Sequence, residues 1–208
     1  MYSFIEKNTA MPFKPRILVL LMAFSLQQAK AQQYVKDIYH DKIPVDYPGK
    51  LRDAYEFKDA AGLHLYIVSK FEQEKPTNKV NIFGAGYTRV NGAFVKDWSI
   101  TDFSGLDVVF KYNYTKVIDI DKDGIYETIF VYELDPNDGM GSTWKLMLHY
   151  KNKKYVLRVH VPSEDDDNYN VQLDKTFDAL PKSVKKYVID YWNAIADELD
   201  LKGRYDIK

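Results

Sequence analysis

The sequence predicts a mainly β fold of the α+β class: an antiparallel sheet built from hairpins, with one C-terminal amphipathic helix packed on it. Three observations predict it. From about residue 55 onward, apolar and polar residues alternate at period two, the spacing of a half-buried strand. Turn signals separate these runs, most clearly Asn91-Gly92. Near the C-terminus the apolar period lengthens to that of a helix.

The elements follow in chain order. In LHLYIVSK, Leu63, Leu65 and Ile67 alternate with His64, Tyr66 and Val68. VNIFGAGYTRV and AFVKDWSI flank Asn91-Gly92, a strong hairpin signal because both residues accept positive φ. LDVVFKYNY sets Leu106, Val108, Phe110, Tyr112 and Tyr114 on one face of a single expected strand. TIFVYEL, STWKLMLHY and KYVLRVHV come next, the last two flanking the turn Lys151-Asn152-Lys153-Lys154. Across that hairpin Trp144, Leu146, Leu148 and Tyr150 share a face with Tyr155, Leu157, Val159 and Val161. Val184, Val188, Tyr191, Ile195 and Leu199 keep helical spacing; Pro181 suits the first turn and Gly203 a stop, so the helix is expected over about 181–201. The strand units show no internal repeat of the kind that builds a propeller or solenoid.

Ahead of these elements the chain reads differently. MPFKPRILVLLMAFSLQQAKAQQ opens at Met11 with Lys14 and Arg16, continues with the apolar run from Ile17 to Leu26, and closes on Ala29-Lys30-Ala31. A positive start, a short apolar run and an A-x-A site predict a signal peptide over residues 1–31, with Met11 as an alternative start and Gln32 as the first mature residue. The apolar run falls short of the ~20 residues of a membrane span, so no stable span is expected after cleavage. Residues 32–54, with Pro44, Pro48 and Gly49, read as an irregular lead-in, and 55–208 as a single β-rich domain. The expected location is periplasmic, secreted or at the cell surface.

Composition narrows the chemistry. The 208 residues include no cysteine, which excludes disulfides, thiolate zinc sites, a cysteine nucleophile and lipid attachment at a lipobox. The net charge of −1 gives no basic footprint for nucleic acid. Removing residues 1–31, which carry +3, leaves a mildly acidic mature chain of −4. No G-x-S-x-G, H-E-x-x-H or Walker loop is present, and Gly84-Ala85-Gly86 lacks the third glycine of a dinucleotide fingerprint. His149 and His160 fall on the two strands of the second hairpin, where strand histidines facing solvent are the simpler reading. Glu164-Asp165-Asp166-Asp167 is contiguous and reads as a solvated loop, and Asp135-Pro136-Asn137-Asp138-Gly139 as a turn.

The strongest chemical signal is VIDIDKDGIYETIFVYEL, residues 117–134. Asp119, Asp121 and Asp123 stand at alternate positions, followed by Gly124 and Glu127, between two apolar runs. Alternate side chains converge on one point when the backbone curls, and glycine permits the bend. The backbone carbonyl of Ile125 adds another oxygen. Three Asp, one Glu, a carbonyl and water make the six or seven hard oxygen ligands of calcium. The spacing differs from an EF-hand, whose bidentate Glu would fall on Phe130, and resembles the shorter calcium turns found between strands in secreted repeat proteins.

Four stretches carry a wider resemblance: KDWSITDF, VIDIDKDGIYETIFVYEL, WKLMLHYKNKKYVLRV and FDALPKSVKKYVIDYWNAI. In that order, over roughly residues 55–198, the chain resembles a family of small exported flavobacterial proteins labelled "surface polysaccharide biosynthesis". The resemblance places the family's acidic turn on Asp119, Asp121, Asp123, Gly124 and Glu127. It implies export and an envelope role, with an envelope glycan or envelope protein as partner, and names no reaction. The chain departs from it at LDPNDGMGST, where relatives carry a cysteine-containing segment. The expectation is therefore a non-enzymatic envelope protein with one calcium-binding turn. The alternative is a polysaccharide-modifying hydrolase that uses the acidic cluster as its catalytic or metal centre.

Overall fold

The hairpin signals lead to the architecture directly. The computed structural model describes residues 34–39, 41–73, 79–136, 141–163, 169–201, 203 and 205. The expected signal segment, His40, Asn137 to Gly139 and the run Glu164 to Asp167 lie outside the described residues. Asn91 and Gly92, at φ 50° and 88°, close one tight hairpin; Lys151 and Asn152, at φ 46° and 61°, close another. Two-residue loops of this hand match the natural twist of the strands they join.

Five strands form a first antiparallel sheet in simple sequence order: β1 (Tyr34–Asp37), β2 (Lys50–Asp59), β3 (Gly62–Gln73), β4 (Lys79–Val90) and β5 (Ala93–Ser104). A second sheet runs β11 (Asn170–Leu173), β10 (Lys153–Val161), β9 (Ser142–Tyr150) and β8 (Glu127–Leu134), with β6 (Val108–Phe110) and β7 (Lys116–Ile118) both paired to the free side of β8. The helix α1 covers Lys182–Glu198. Among the described residues, no helix is long and apolar enough to cross a membrane.

The two sheets face each other. Phe57, Tyr66, Val68 and Ile82 from the first interleave with Phe130, Tyr132, Met147 and Val156 from the second. That explains why TIFVYEL is apolar almost throughout: β8 is buried on both faces, as a strand in a middle layer must be. On its outer side the second sheet carries α1. The face Trp144, Leu146, Leu148, Tyr150, Tyr155, Leu157 and Val159, with Val161 at its edge, packs on Val184, Val188, Trp192 and Ile195. The hairpin set is the one that period two selects; of the helix residues that helical spacing selects, Val184, Val188 and Ile195 are buried here and Tyr191 is partly buried, whereas Leu199 is exposed and Trp192 takes the centre. The outer side of the first sheet is covered by the segment before β2, whose Ile43, Val45 and Tyr47 pack on Leu65, Ile67 and Ala85. Within that expected irregular lead-in, β1 pairs with β2 in register.

One expected strand is broken. LDVVFKYNY does not run straight: β6 stops at Phe110 and a 3-10 turn takes Tyr112–Tyr114, leaving Leu106 and Tyr112 exposed. The cause is register. Phe110 pairs with Tyr132 and Lys116 with Ile129, so residues 111–115 must fit opposite only Val131 and Phe130. The surplus chain coils, and the helix holds the coil: the Tyr191 hydroxyl donates to the Tyr114 carbonyl at 3.1 Å.

The helix stops before Gly203 by a different device. The Leu201 N–H donates to the Ala196 carbonyl at 2.8 Å and the Asp200 N–H to the Asp197 carbonyl at 3.3 Å, with Asp200 at φ 55°. This is a Schellman closure with aspartate in the left-handed position that glycine favours. Asp200→Gly is therefore expected to raise stability by about 1 kcal/mol, read as a higher midpoint in urea.

Candidate metal centre

The turn between β7 and β8 is built by its own backbone. Lys122 and Gly124 take φ 61° and 89°, which folds residues 119–127 back on themselves. Ile120 is the anchor: its side chain packs against the helix-side core, so Asp119 and Asp121 emerge on either side of it. The Asp119 carboxylate accepts the N–H groups of Asp123 at 3.1 Å and Gly124 at 3.0 Å. The Asp123 Oδ1 accepts the Ile125 N–H at 2.9 Å. These are the short side-chain-to-backbone bonds that aspartates supply to tight turns.

Glu127 enters from below, as the first residue of β8. It is 2% exposed, and its Oε2 accepts the Ile120 N–H at 2.7 Å. Burial pushes its carboxyl up from the ordinary 4.5 to about 7; the Ile120 N–H opposes this, and the charges of Asp121, Asp119 and Asp123 add to it. A carboxyl in that setting is at odds with its surroundings at neutral pH.

Asp119, Asp121 and Glu127 each offer one carboxylate oxygen, and these oxygens lie within 4.8 Å of one another. That acidic triad can bind a metal ion. Of the other two expected ligands, Asp123 is placed differently. The Asp123 Oδ2 faces the Lys151 ammonium at 2.9 Å, and that hydrogen bond holds its carboxyl below the usual range. The Ile125 N–H is taken by Asp123, and Ile125 lies at the edge of a neighbouring cavity.

Two contributors came from far along the chain. The Tyr150 hydroxyl donates to Asp121 Oδ2 at 2.8 Å, and Lys151 reaches the same oxygen at 3.3 Å. Both residues sit at the end of β9 and its turn. The lysine-rich turn was the only sequence signal for them, and local spacing gave no reason to bring it to the acidic turn. On the other flank the turn docks on the β2–β3 hairpin: Ala60 N–H donates to the Gly124 carbonyl at 2.8 Å, and Tyr126 N–H to Asp59 Oδ2 at 3.1 Å.

Other expectations resolve quickly. His149 and His160 occupy the same face of the β9–β10 hairpin, but His149 pairs with Lys154 and His160 with Thr143, six positions along. That is roughly 20 Å, too far for a shared ion. The Asp135 carboxylate caps the chain at the other end of β8, accepting from Ser104 and from the Leu106 N–H at 3.1 Å.

A cavity of about 380 Å³ opens beside the turn, between the ends of the two sheets. Ile125, Tyr126 and Lys151 line it; Asp119, Asp121 and Glu127 do not. No family model, curated protein or solved structure matches the chain.

Proposed function

We propose that the chain is an exported, non-enzymatic envelope protein whose acidic turn holds calcium in a structural role, with an envelope glycan or envelope protein as its partner. The convergence of Asp119, Asp121 and Glu127 carries the metal part of the reading, and the signal pattern and family resemblance in the sequence support export and the envelope partner. Oxygens within 4.8 Å of one another fit inside a calcium shell, whose diameter is about 5 Å at the usual bond lengths. Glu127 adds the driving force, since a buried carboxyl pushed up to about 7 gains a counter-charge when the ion enters. Magnesium demands stricter octahedral geometry than a turn of this kind supplies. A structural role is favoured over a hydrolytic one because the three carboxylates do not line the adjoining cavity, where a substrate would sit.

Calorimetric titration of the mature chain with calcium tests this. One site per chain is expected, in the ~0.1–1 mM range of extracellular modules. Asp121→Ala should abolish it. Asp123→Ala should weaken it far less, because its carboxylate already belongs to Lys151. Absence of binding to the wild-type chain would leave the turn without a ligand and remove the proposal.

A further inference from the structure

We infer that the cavity beside the acidic turn is a binding site for a small neutral polyhydroxylated molecule, of the size of one sugar ring. The inference gives a ligand class to the envelope partner proposed above and rests on that reading only for the compartment.

The walls come from both sheets: Thr88, Asp97 and Trp98 from the first, Tyr126 beside the turn, and Thr128 and His149 from the second. Thr128 and His149 are direct cross-strand partners on β8 and β9. The Thr128 hydroxyl and the His149 Nε2 are both buried and meet no hydrogen-bonding group among the described residues. Thr128 is 5% exposed, and both residues line the cavity. Two adjacent polar atoms left without partners are costly to a fold, and native proteins rarely keep them without a ligand or bound water to meet them. Burial pushes the imidazole of His149 down to about 4, so at neutral pH the ring is uncharged and offers one donor and one acceptor.

The remaining wall is built to keep its shape. His64 Nε2 meets Asp59 Oδ1 at 2.8 Å, His64 Nδ1 meets the Thr88 hydroxyl at 3.0 Å, and Thr88 donates to Asp97 at 2.7 Å. Trp98 stacks on His149 with ring centres 4.1 Å apart. It reaches that place because Gly86 stands opposite it: a Cβ there would lie 2.3 Å from the indole nitrogen. Aromatic walls suit the C–H faces of a sugar, and a hydroxyl, an imidazole and a carboxylate suit its O–H groups. Asp97 disfavours an anionic ligand, and Lys151, which also lines the cavity, is already paired with Asp123. The volume falls at the small end of ligand sites, room for one ring and not a chain.

The test follows the emission of the full chain during titration with glucose, galactose, mannose and N-acetylglucosamine, with glucuronate as the anionic control. Trp98 is the reporter, since Trp144 and Trp192 lie in the helix-side core. Saturable change with at least one neutral sugar is expected, and none with glucuronate. Thr128→Val removes the hydroxyl at constant size, so binding should weaken about tenfold, the equivalent of one hydrogen bond. The thermal midpoint of that variant should hold or rise, because an unpartnered buried group has gone. His149→Phe, which keeps the stack on Trp98, should weaken binding similarly and serves if the first variant fails to fold. A flat response to every neutral sugar, or wild-type affinity in both variants, overturns the inference and leaves a water-filled cleft. Calcium calorimetry on the same samples separates that failure from failure of the metal proposal.

Discussion

Replacing Trp192 with alanine is expected to cost about 4 kcal/mol of folding stability, within the range for a large aromatic removed from a closed core. Trp192 is 0% exposed at the centre of the layer between α1 and the second sheet. Its ring meets Trp144 edge-on at 6.3 Å, and its indole N–H donates to the Gly203 carbonyl at 2.8 Å. The substitution therefore opens a cavity, removes an aromatic pair and strands a carbonyl, three losses that act together. For a domain of this size the midpoint should fall by roughly 8–16 °C. Trp192→Phe separates the terms. It keeps most of the ring but loses the bond to Gly203, and should cost about 1–2 kcal/mol. Urea unfolding of the three proteins checks both values, with an unchanged slope showing that the same transition is being compared.

Most of that core was legible in the sequence, and the reason is locality, although Trp192 itself was not among the residues expected on the buried helix face. The hairpin face from Trp144 to Val161 follows from period two and one turn, and the helix face from period 3.6. Neither needs knowledge of distant residues. The second sheet was harder to read. A lone sheet under a helix and a pair of facing sheets give the same alternation along most strands. Only runs apolar on both faces distinguish them, such as residues 128–134 in β8 and the stretch around Leu65 to Val68 in β3. The break after Phe110 was not readable at all, because it comes from a register fixed by β8. The site divides the same way. Asp119, Asp121 and Glu127 were found by spacing within one turn, whereas the counter-charge is Lys151, brought in by the β9–β10 hairpin. Nor does spacing reveal that Glu127 is the buried member. Its place opposite Ile118 at the start of a doubly covered strand decides that.

Glu127 also makes the stability of the ion-free protein depend on pH in an unusual direction. Its carboxyl titrates near 7 in the folded chain and near its ordinary 4.5 in the unfolded one. Between these values the folded state holds more protons, so stability falls as pH rises through the window. At about 1.36 kcal/mol per unit, the loss approaches 3 kcal/mol by pH 7.5. Asp53 acts with the same sign: burial raises it from 3.8 to about 6. His149 acts against them. Burial lowers it from 6.5 to about 4, so its contribution is present above 6.5 and is lost as pH falls toward 4. The three overlap between pH 4.5 and 6, and above 6.5 Glu127 acts alone. Comparison with Glu127→Gln isolates it: in chelator the variant should gain about 3 kcal/mol on the wild type between pH 4.5 and 7.5. Calcium should close most of that gap. At pH 7.5 and a hundredfold excess over its dissociation constant, the ion should stabilise the wild type by about 2.7 kcal/mol and leave Glu127→Gln almost unmoved. Thermal melts of the two proteins at both pH values, with chelator and with calcium, read this directly. The near-closing of that gap on adding calcium is the signature of a carboxylate kept buried at a cost that the metal ion offsets.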